Sequence, residues 1–326
     1  MKSEPDAPVI SARALSRSFK TRKGLIEAVA GIDFEVMPRE IVGFLGPNGA
    51  GKTTTLRMLC TLLWPSGGGA TVAGCDLASD PVGVRRRIGY VAQAGGTSRD
   101  ALAGEEIVGH AQLYGIGAST ATDRGKTLMK RFDLAEMWSR KCGSLSGGQR
   151  RRLDIVMGLI HHPELVFLDE PSTGLDPQSR ANLWEHIRSL RDRIGTTVFL
   201  TTHYMDEADS LCDRILVIDE GRIVAEGTPK ELKKKDRGDL ITLTMRDTAE
   251  AGRAAALGGA MTGADQPSVD GNIVRLHVPD GASALPGMMR SLDGAGLDAV
   301  GVEVASPTLD DVFLTLTGRS LRDHAA

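Results

Sequence analysis

Four short stretches carry residues whose types and spacing could work on a phosphate chain. The first reads Gly46-Pro47-Asn48-Gly49-Ala50-Gly51-Lys52-Thr53-Thr54. Its glycines let backbone N–H groups wrap an anion, Lys52 can reach the terminal phosphates, and the Thr53 hydroxyl can ligate Mg2+. In the second, Asp169 and Glu170 close an apolar run. Asp169 suits a carboxylate that holds Mg2+, whereas Glu170, one residue on and pointing differently, suits orienting or deprotonating an attacking water. The other two are single side chains, Gln93 after "RRRIGYVA" and His203 after "TTVFLTT". An amide oxygen at Gln93 can contact Mg2+ or the water, and an imidazole at His203 can hydrogen-bond a terminal phosphate. An acidic pair alone is more often a helix cap, a lone His is usually structural, and Gln93 could be a polar strand end. The phosphate loop upstream turns the acidic pair toward chemistry.

These residues need elements to hold them. Ile41–Leu45 is an apolar strand that runs into the loop, and Leu56, Leu59 and Leu63 put one apolar face on a following helix. Ile88–Ala92, Leu165–Leu168 and Thr197–Thr201 read as further strands. Their carboxyl ends deliver Gln93, Asp169 and His203 to the edge where open α/β sheets bind ligands. A second anion seat is suggested by "SLSGGQRRRLDI", Ser144 to Ile155, in which Ser146, Gly147 and Gly148 open a cationic amphipathic helix. An ordinary capped turn is the plainer reading of that stretch alone. Phe19, in the polar stretch "LSRSFKTRKG", reads as a loop aromatic that either stacks on adenine or fills a small core. His161 and His162 precede Pro163 with no partner at ligand spacing and are given no chemistry.

Composition limits the function classes. With 326 residues, the chain can bury one large core or two smaller ones without staples. No apolar run approaches the about 18–20 residues of a membrane-spanning helix. The start "MKSEPDAPVISAR" lacks the apolar segment of a secretory signal. Cys60, Cys75, Cys142 and Cys212 form no C-x-x-C pair, so reduced thiols in a cytoplasmic protein are expected. A net charge of -3 gives no basic excess for nucleic acid, and none is expected as a partner. The run "KELKKKDR" reads as a solvated helix end or linker.

Taken in order, Gly46 to Thr53, Gln93, "LSGGQ", "LVFLDE", "TGLD" and His203 resemble the full motif set of ABC ATPases, over roughly residues 8 to 230. The resemblance implies an α/β P-loop NTPase fold, a RecA-like mixed sheet with a helical subdomain between Gln93 and the signature. It implies ATP and Mg2+ as ligands, with Glu170 and His203 catalytic and Thr53, Gln93 and Asp169 at the metal. Nucleotide contacts would come from Phe19, the loop through Thr54, Ser146, Gly147, Gly148, Gln149 and Asp176. In such proteins the LSGGQ helix start closes on nucleotide held by a second cassette, which implies a homodimer.

Within the family the chain is most similar to ATPase subunits of daunorubicin/doxorubicin-resistance-type exporters, through the signature-to-"DPQSR" stretch and the tail "SPTLDDVFLTLTGR". That likeness implies efflux of a hydrophobic drug or amphipathic metabolite through a separate transmembrane permease subunit, with this chain peripheral on the inner face of the cell membrane. The alternative is a soluble ABC ATPase acting on ribosomes or DNA. Translation-type members carry two cassettes and repair-type members a long coiled coil before the signature, and this chain has neither. Phe19 stands where many members have Tyr, and "AGGTSRD" after Gln93 is unlike the commoner acidic stretch.

The texture changes near residue 235, so residues 1–235 are expected as the ATPase domain and 236–326 as a second domain. There "DLITLTMR", "AEAGRAAALGGA", "PSVDG", "NIVRLHVPD", "SALPGMMRSLDGAG" and "DAVGVEVASP" read as β-α-β-β-α-β, a small α+β ferredoxin-like pattern, before a last amphipathic helix from about Leu309. The family resemblance favours an accessory, regulatory or dimer-stabilising role for it.

Overall fold

The computed structural model describes residues 7–22, 24–234, 238–262 and 267–317. Expectations that touch 235–237 and 318–319 lie outside the described residues. The chain divides into two compact units between Glu226 and Gly227.

The first unit contains, in order, β1 (Ile10–Thr21), β2 (Gly24–Val36), β3 (Ile41–Leu45), α1 (Lys52–Leu59), β4 (Gly67–Val72), β5 (Cys75–Asp76), α2 (Pro81–Arg87), β6 (Ile88–Val91), α3 (Ala103–Leu113) and α4 (Ala118–Arg131). It continues through α5 (Gly147–Leu159), β7 (Leu165–Asp169), α6 (Pro177–Ser189), β8 (Thr197–Thr202), α7 (Met205–Leu211), β9 (Arg214–Asp219) and β10 (Arg222–Gly227). A six-stranded sheet runs β10-β9-β3-β8-β7-β6. Its central strands pair in parallel, so β3, β7 and β8 end on the same edge and deliver their following residues together. These three strands are buried along their whole length, which is why they read as continuous apolar runs. In this core Phe199 meets Phe44 in a tilted pair and Phe167 edge to face, at centroid separations of 5.5 and 5.7 Å. Truncating one of them to Ala would cost about 3–5 kcal/mol.

A second, antiparallel sheet of order β2-β1-β4-β5 adds to this frame. Phe19 belongs to β1, opposite Ile26 of β2, and not to a loop. The polar residues that suggested a loop are those of an exposed hairpin. Helix α1 stops at Leu59 because Thr61 adopts a left-handed φ of 58°. Leu63 therefore lies beyond the helix and packs on the same core from the following turn. Helix α5 departs from the expected amphipathic pattern, since Arg151 and every residue from Leu153 to Leu159 are buried. It is packed between α3, α4, α6 and β6, so its basic sequence does not define a solvent face.

The second unit contains α8 (Pro229–Lys234), β11 (Asp239–Met245), α9 (Thr248–Thr262), β12 (Ser268–Asp270), β13 (Ile273–Val278), α10 (Gly281–Gly294), β14 (Ala299–Ala305) and α11 (Leu309–Thr317). Its sheet order, β12-β13-β11-β14, with two helices crossing one face, is the ferredoxin-like arrangement. Strict alternation buries Ile241, Leu243 and Met245 with Val274, Leu276 and Val278 against Ala251, Ala254, Met288 and Leu292 of α9 and α10.

Candidate nucleotide site

The loop after β3 turns into α1 through two left-handed glycines, Gly49 at φ 84° and Gly51 at φ 106°. Gly51 also has no room for a side chain, since a Cβ would lie 2.5 Å from the Ala28 carbonyl oxygen. The first paired helical N–H is that of Thr55, onto Gly51 O at 2.9 Å, so the preceding amides stay open for an anion. Lys52 is only 4% exposed. Its Nζ donates to Gly46 O (2.7 Å) and Pro47 O (3.0 Å) and lies 3.7 Å from Glu170 Oε1. Burial pulls the ammonium's pKa down, opposed by the charge of Glu170.

Strands β7 and β8 supply the carboxylates and their supports. Asp169 lies directly across from Thr201 in the parallel ladder. The Thr201 hydroxyl donates to Asp169 Oδ1 (2.7 Å) and accepts from the Glu170 N–H (3.0 Å). The Thr53 hydroxyl donates to the same Asp169 oxygen at 3.2 Å. Glu170 itself has a left-handed φ of 43°, a strained conformation for a non-glycine residue. Its Oε2 accepts from Gln93 Nε2 (2.9 Å) and Thr173 Oγ1 (3.1 Å). His203 Nδ1 stands 3.3 Å from that oxygen, within ion-pair distance but without hydrogen-bond alignment. Burial alone would raise the Glu170 pKa. His203, Lys52 and Thr173 together outweigh it and hold the carboxyl below its ordinary value.

A cavity of about 580 Å3 opens over these groups. Asn48, Gly49, Gly51, Lys52, Thr53 and Thr54 line one side, with Gln93, Glu170 and His203 on the other. Ala28 and Thr173 complete the wall; Thr173 opens the "TGLD" motif, but the sequence assigns neither residue a role. Thr201 also escaped notice, because only strand register brings it to Asp169. Gly46, Pro47 and Ala50 support the loop from outside the wall. A Cβ on Gly46 would meet Ile218 O at 2.2 Å, and the Ala50 carbonyl accepts from Gly221 N–H at 3.0 Å. Asp169 lies behind Thr53.

Several expected contacts are elsewhere. Ser146 and Gln149 cap α5 reciprocally, Ser146 Oγ accepting from Gln149 N–H (3.2 Å) and Gln149 Oε1 from Ser146 N–H (2.9 Å). This leaves the Ser146 O–H free to donate. Ser146, Gly148 and Gln149 line a separate cleft of about 250 Å3 with Gln178, Ser179 and Arg152, and Gly147 sits in the same first turn. Asp176 is the N-cap of α6, accepting from Ser179 N–H (2.9 Å) and Oγ (2.6 Å), which hold its carboxyl below the ordinary range. Phe19 is half-buried outside the cavity wall, with the Arg17 guanidinium 4.7 Å over its ring. All four cysteines are free and buried.

The donor set fits Mg2+: a hydroxyl and a carboxylate oxygen 3.2 Å apart, with the Gln93 amide oxygen left over once its nitrogen engages Glu170. Mg2+ is typically held by one or two protein oxygens together with substrate phosphates and water.

Parallel strand ends that present a glycine-rich phosphate loop, a hydroxyl–carboxylate pair and a base define a P-loop ATPase. Residues 29–173 match the family model for the ABC transporter domain. Over 301 residues the chain is 44% identical to the daunorubicin resistance ATP-binding protein DrrA3 of Streptomyces coeruleorubidus, covering 92% of this chain and 94% of that protein. It is 40% identical to the doxorubicin resistance ATP-binding protein DrrA of Mycobacterium tuberculosis H37Rv, covering 90% of each. The Nod factor export ATP-binding protein I of Burkholderia thailandensis is 38% identical, over 90% of this chain and 93% of that one. Among solved structures, cbiO1 from Clostridium perfringens, part of the ABC transporter complex cbiONQ, aligns at TM-score 0.62 and 25% identity over 70% of this chain and 90% of that one. The dimeric post-hydrolysis cassette MJ0796 bound to ADP and Pi shares the fold at TM-score 0.61 and 23% identity, over 67% of this chain and 98% of that one. The protein belongs to the ATP-binding subunits of ABC transporters and is an ATPase of that family.

Proposed function

We propose that this chain energises export of a hydrophobic drug or amphipathic metabolite, by hydrolysing ATP at sites shared between two copies. The observation that carries the shared site is the separation of its halves. The loop, Gln93, Glu170 and His203 line one cavity, while the exposed signature cap lines another. A second copy's Ser146, Gly147 and Gly148 would complete the first cavity.

ATP phosphates seat on the open amides of α1 and on Lys52. Thr53 and Asp169, with Gln93 beside them, would hold Mg2+, which when bound would supply positive charge against the phosphates. Glu170 takes the proton of the attacking water, and His203 hydrogen-bonds the terminal phosphate. Phe19 is retained as the candidate adenine contact, and the signature with Asp176 as groups facing the partner's nucleotide. Among the described residues no helix is long and apolar enough to cross a membrane. The translocation path is accordingly assigned to a separate transmembrane subunit, with this chain at the cytoplasmic face. Residues 1–235 are assigned the nucleotide work. Residues 236–326 are assigned an accessory, regulatory or dimer-stabilising role, because every group placed at the phosphates precedes residue 204.

The test is drug accumulation in cells that carry this chain together with a candidate transmembrane permease subunit. Energised export lowers intracellular daunorubicin, and Glu170→Gln restores it. Equal accumulation with wild type and variant, with both proteins present in the membrane fraction, would reject daunorubicin-type export.

A further inference from the structure

The β6/β7 ladder ends at Val91 opposite Leu168. One residue further, the carbonyls of Ala92 and Asp169 are joined by a single side chain from another element. The Arg151 guanidinium, in α5 and 7% exposed, donates Nη1 to Ala92 O (2.5 Å) and Nη2 to Asp169 O (2.8 Å). Its Nε donates to Pro171 O at 2.9 Å. Each acceptor adjoins a residue of the nucleotide cavity. Ala92 precedes Gln93, and Asp169 and Pro171 bracket Glu170.

A buried cation that uses its fork on three main-chain carbonyls, and not on a carboxylate, fixes backbone position more than it neutralises charge. Here the backbone in question is strained, since Glu170 has a φ of 43°. Arg151 fixes the carbonyls on both sides of that residue while Thr201 fixes its N–H. One turn along α5, Asp154 accepts from Gly96 N–H at 3.3 Å, so the helix holds the 92–96 segment at both ends. The same helix begins at the Ser146 cap, about 7.5 Å from Arg151 along its axis.

We propose that Arg151 is a positioning residue for hydrolysis: it holds Glu170 and Gln93 in working geometry and ties both to the signature helix. The proposal rests on the ATPase reading above, because it needs Glu170 as the base. A contact that moves the start of α5 would then bear on the chain's own base through a rigid helix and three hydrogen bonds.

Arg151→Lys keeps the charge but has no planar fork, and Arg151→Met removes the donors. The expected result is a kcat per folded molecule lowered by about 10²-fold in Arg151→Met, the loss that a catalytic group displaced by about 1 Å produces. Arg151→Lys should fall between it and wild type. The ATP dissociation constant should stay within about threefold in both, because the phosphate seats are untouched. Val156→Ala, a truncation of a buried apolar side chain on the same helix, lowers the melting temperature without changing kcat per folded molecule. Amide deuterium exchange supplies a readout independent of catalysis, with segments 92–96 and 169–173 exchanging faster in Arg151→Lys than in Val156→Ala. Wild-type kcat and wild-type exchange in Arg151→Lys would overturn the proposal even if Arg151→Met does not fold. A loss of ATP affinity matching the loss of kcat would also overturn it, in favour of a general collapse of the site. Faster exchange at both segments in a chain whose wild type does not hydrolyse ATP would leave Arg151 as a structural tie of those segments and overturn its role in hydrolysis through failure of the ATPase reading, not of the geometry.

Discussion

Replacing Glu170 by Gln preserves the shape of the side chain and removes its charge and basicity. With the remaining oxygen kept toward Gln93 Nε2 and Thr173 Oγ1, at 2.9 and 3.1 Å, the new amide NH2 faces the Lys52 ammonium now 3.7 Å from Oε1. The fold and the phosphate amides are untouched by this exchange. Lys52 loses its counter-charge and becomes more available to an incoming phosphate. ATP affinity should therefore be kept or improved, within about threefold of wild type. A positioned general base contributes about 10²–10⁴ in rate, so kcat should fall by about 10³-fold. The assay is phosphate release at saturating MgATP, with nucleotide binding measured in parallel and size-exclusion chromatography used to detect an ATP-stabilised dimer. Turnover within about threefold of wild type would remove Glu170 from the base role. A matching loss of ATP binding would instead make it a prop for Lys52. The carboxyl is held below its ordinary 4.5, so it is ionised at neutral pH and its acid limb lies below that value. Glu170 also contributes stability above pH 4.5 that is lost as pH falls through its folded value, and Glu170→Gln should lose that dependence.

Three other outcomes follow from the structure. Thr201→Val leaves the Glu170 N–H and one Asp169 hydrogen bond unmade at a fully buried position, so about 1–3 kcal/mol of stability should be lost together with kcat, read by urea unfolding and turnover. His161, stacked on Tyr114 at 3.8 Å and hydrogen-bonded to Ile88 O, is pulled by burial from 6.5 to about 4. The unfolded chain binds a proton there that the native state refuses, so stability should fall as pH drops from 6.5 toward 4. His161→Phe, which keeps a ring against Tyr114, should flatten that slope, leaving the parts due to His110, His162 and His186, whose pKa values burial also lowers. Deleting residues 239–326 should leave ATP binding intact, checked by an isotherm, because the two units have separate cores.

Much of the site was readable because its residues sit at the ends of fully buried strands, where apolar runs are unambiguous. Ile41–Leu45 matches the observed strand to the residue; Asp169 closes β7, and Glu170 and His203 follow β7 and β8, whose expected ends lie within one residue of the observed ones. Less of the surrounding structure was readable. Phe19 was misplaced into a loop because its strand belongs to an exposed antiparallel hairpin with no apolar alternation. The Leu56–Leu59–Leu63 stripe was read as one helix face because period alone does not register the left-handed turn at Thr61. Helix α5 was read as amphipathic from its three arginines, yet Arg151 is buried by carbonyls of segments 59, 18 and 20 residues away in sequence. Thr201 and Thr173 act through register and loop geometry, which a single sequence does not display. The β-α-β-β-α-β order of the last unit was legible from alternation in β11 and β13, whose buried residues recur every second position.

The claim of a site shared between two copies is tested most directly by mixing damaged chains. Lys52→Ala breaks the phosphate loop and Ser146→Arg blocks the signature, and each alone should be inactive. If each site joins one chain's loop to the other's signature, the mixed dimer holds one wholly damaged site and one intact site, and ATPase activity returns. A double variant, Lys52→Ala with Ser146→Arg in one chain, mixed with wild type then damages both sites and suppresses the wild-type activity. In samples shown to exchange subunits, absence of rescue in the first mixture together with half-active dimers in the second would contradict the shared site and place the signature on its own chain's nucleotide.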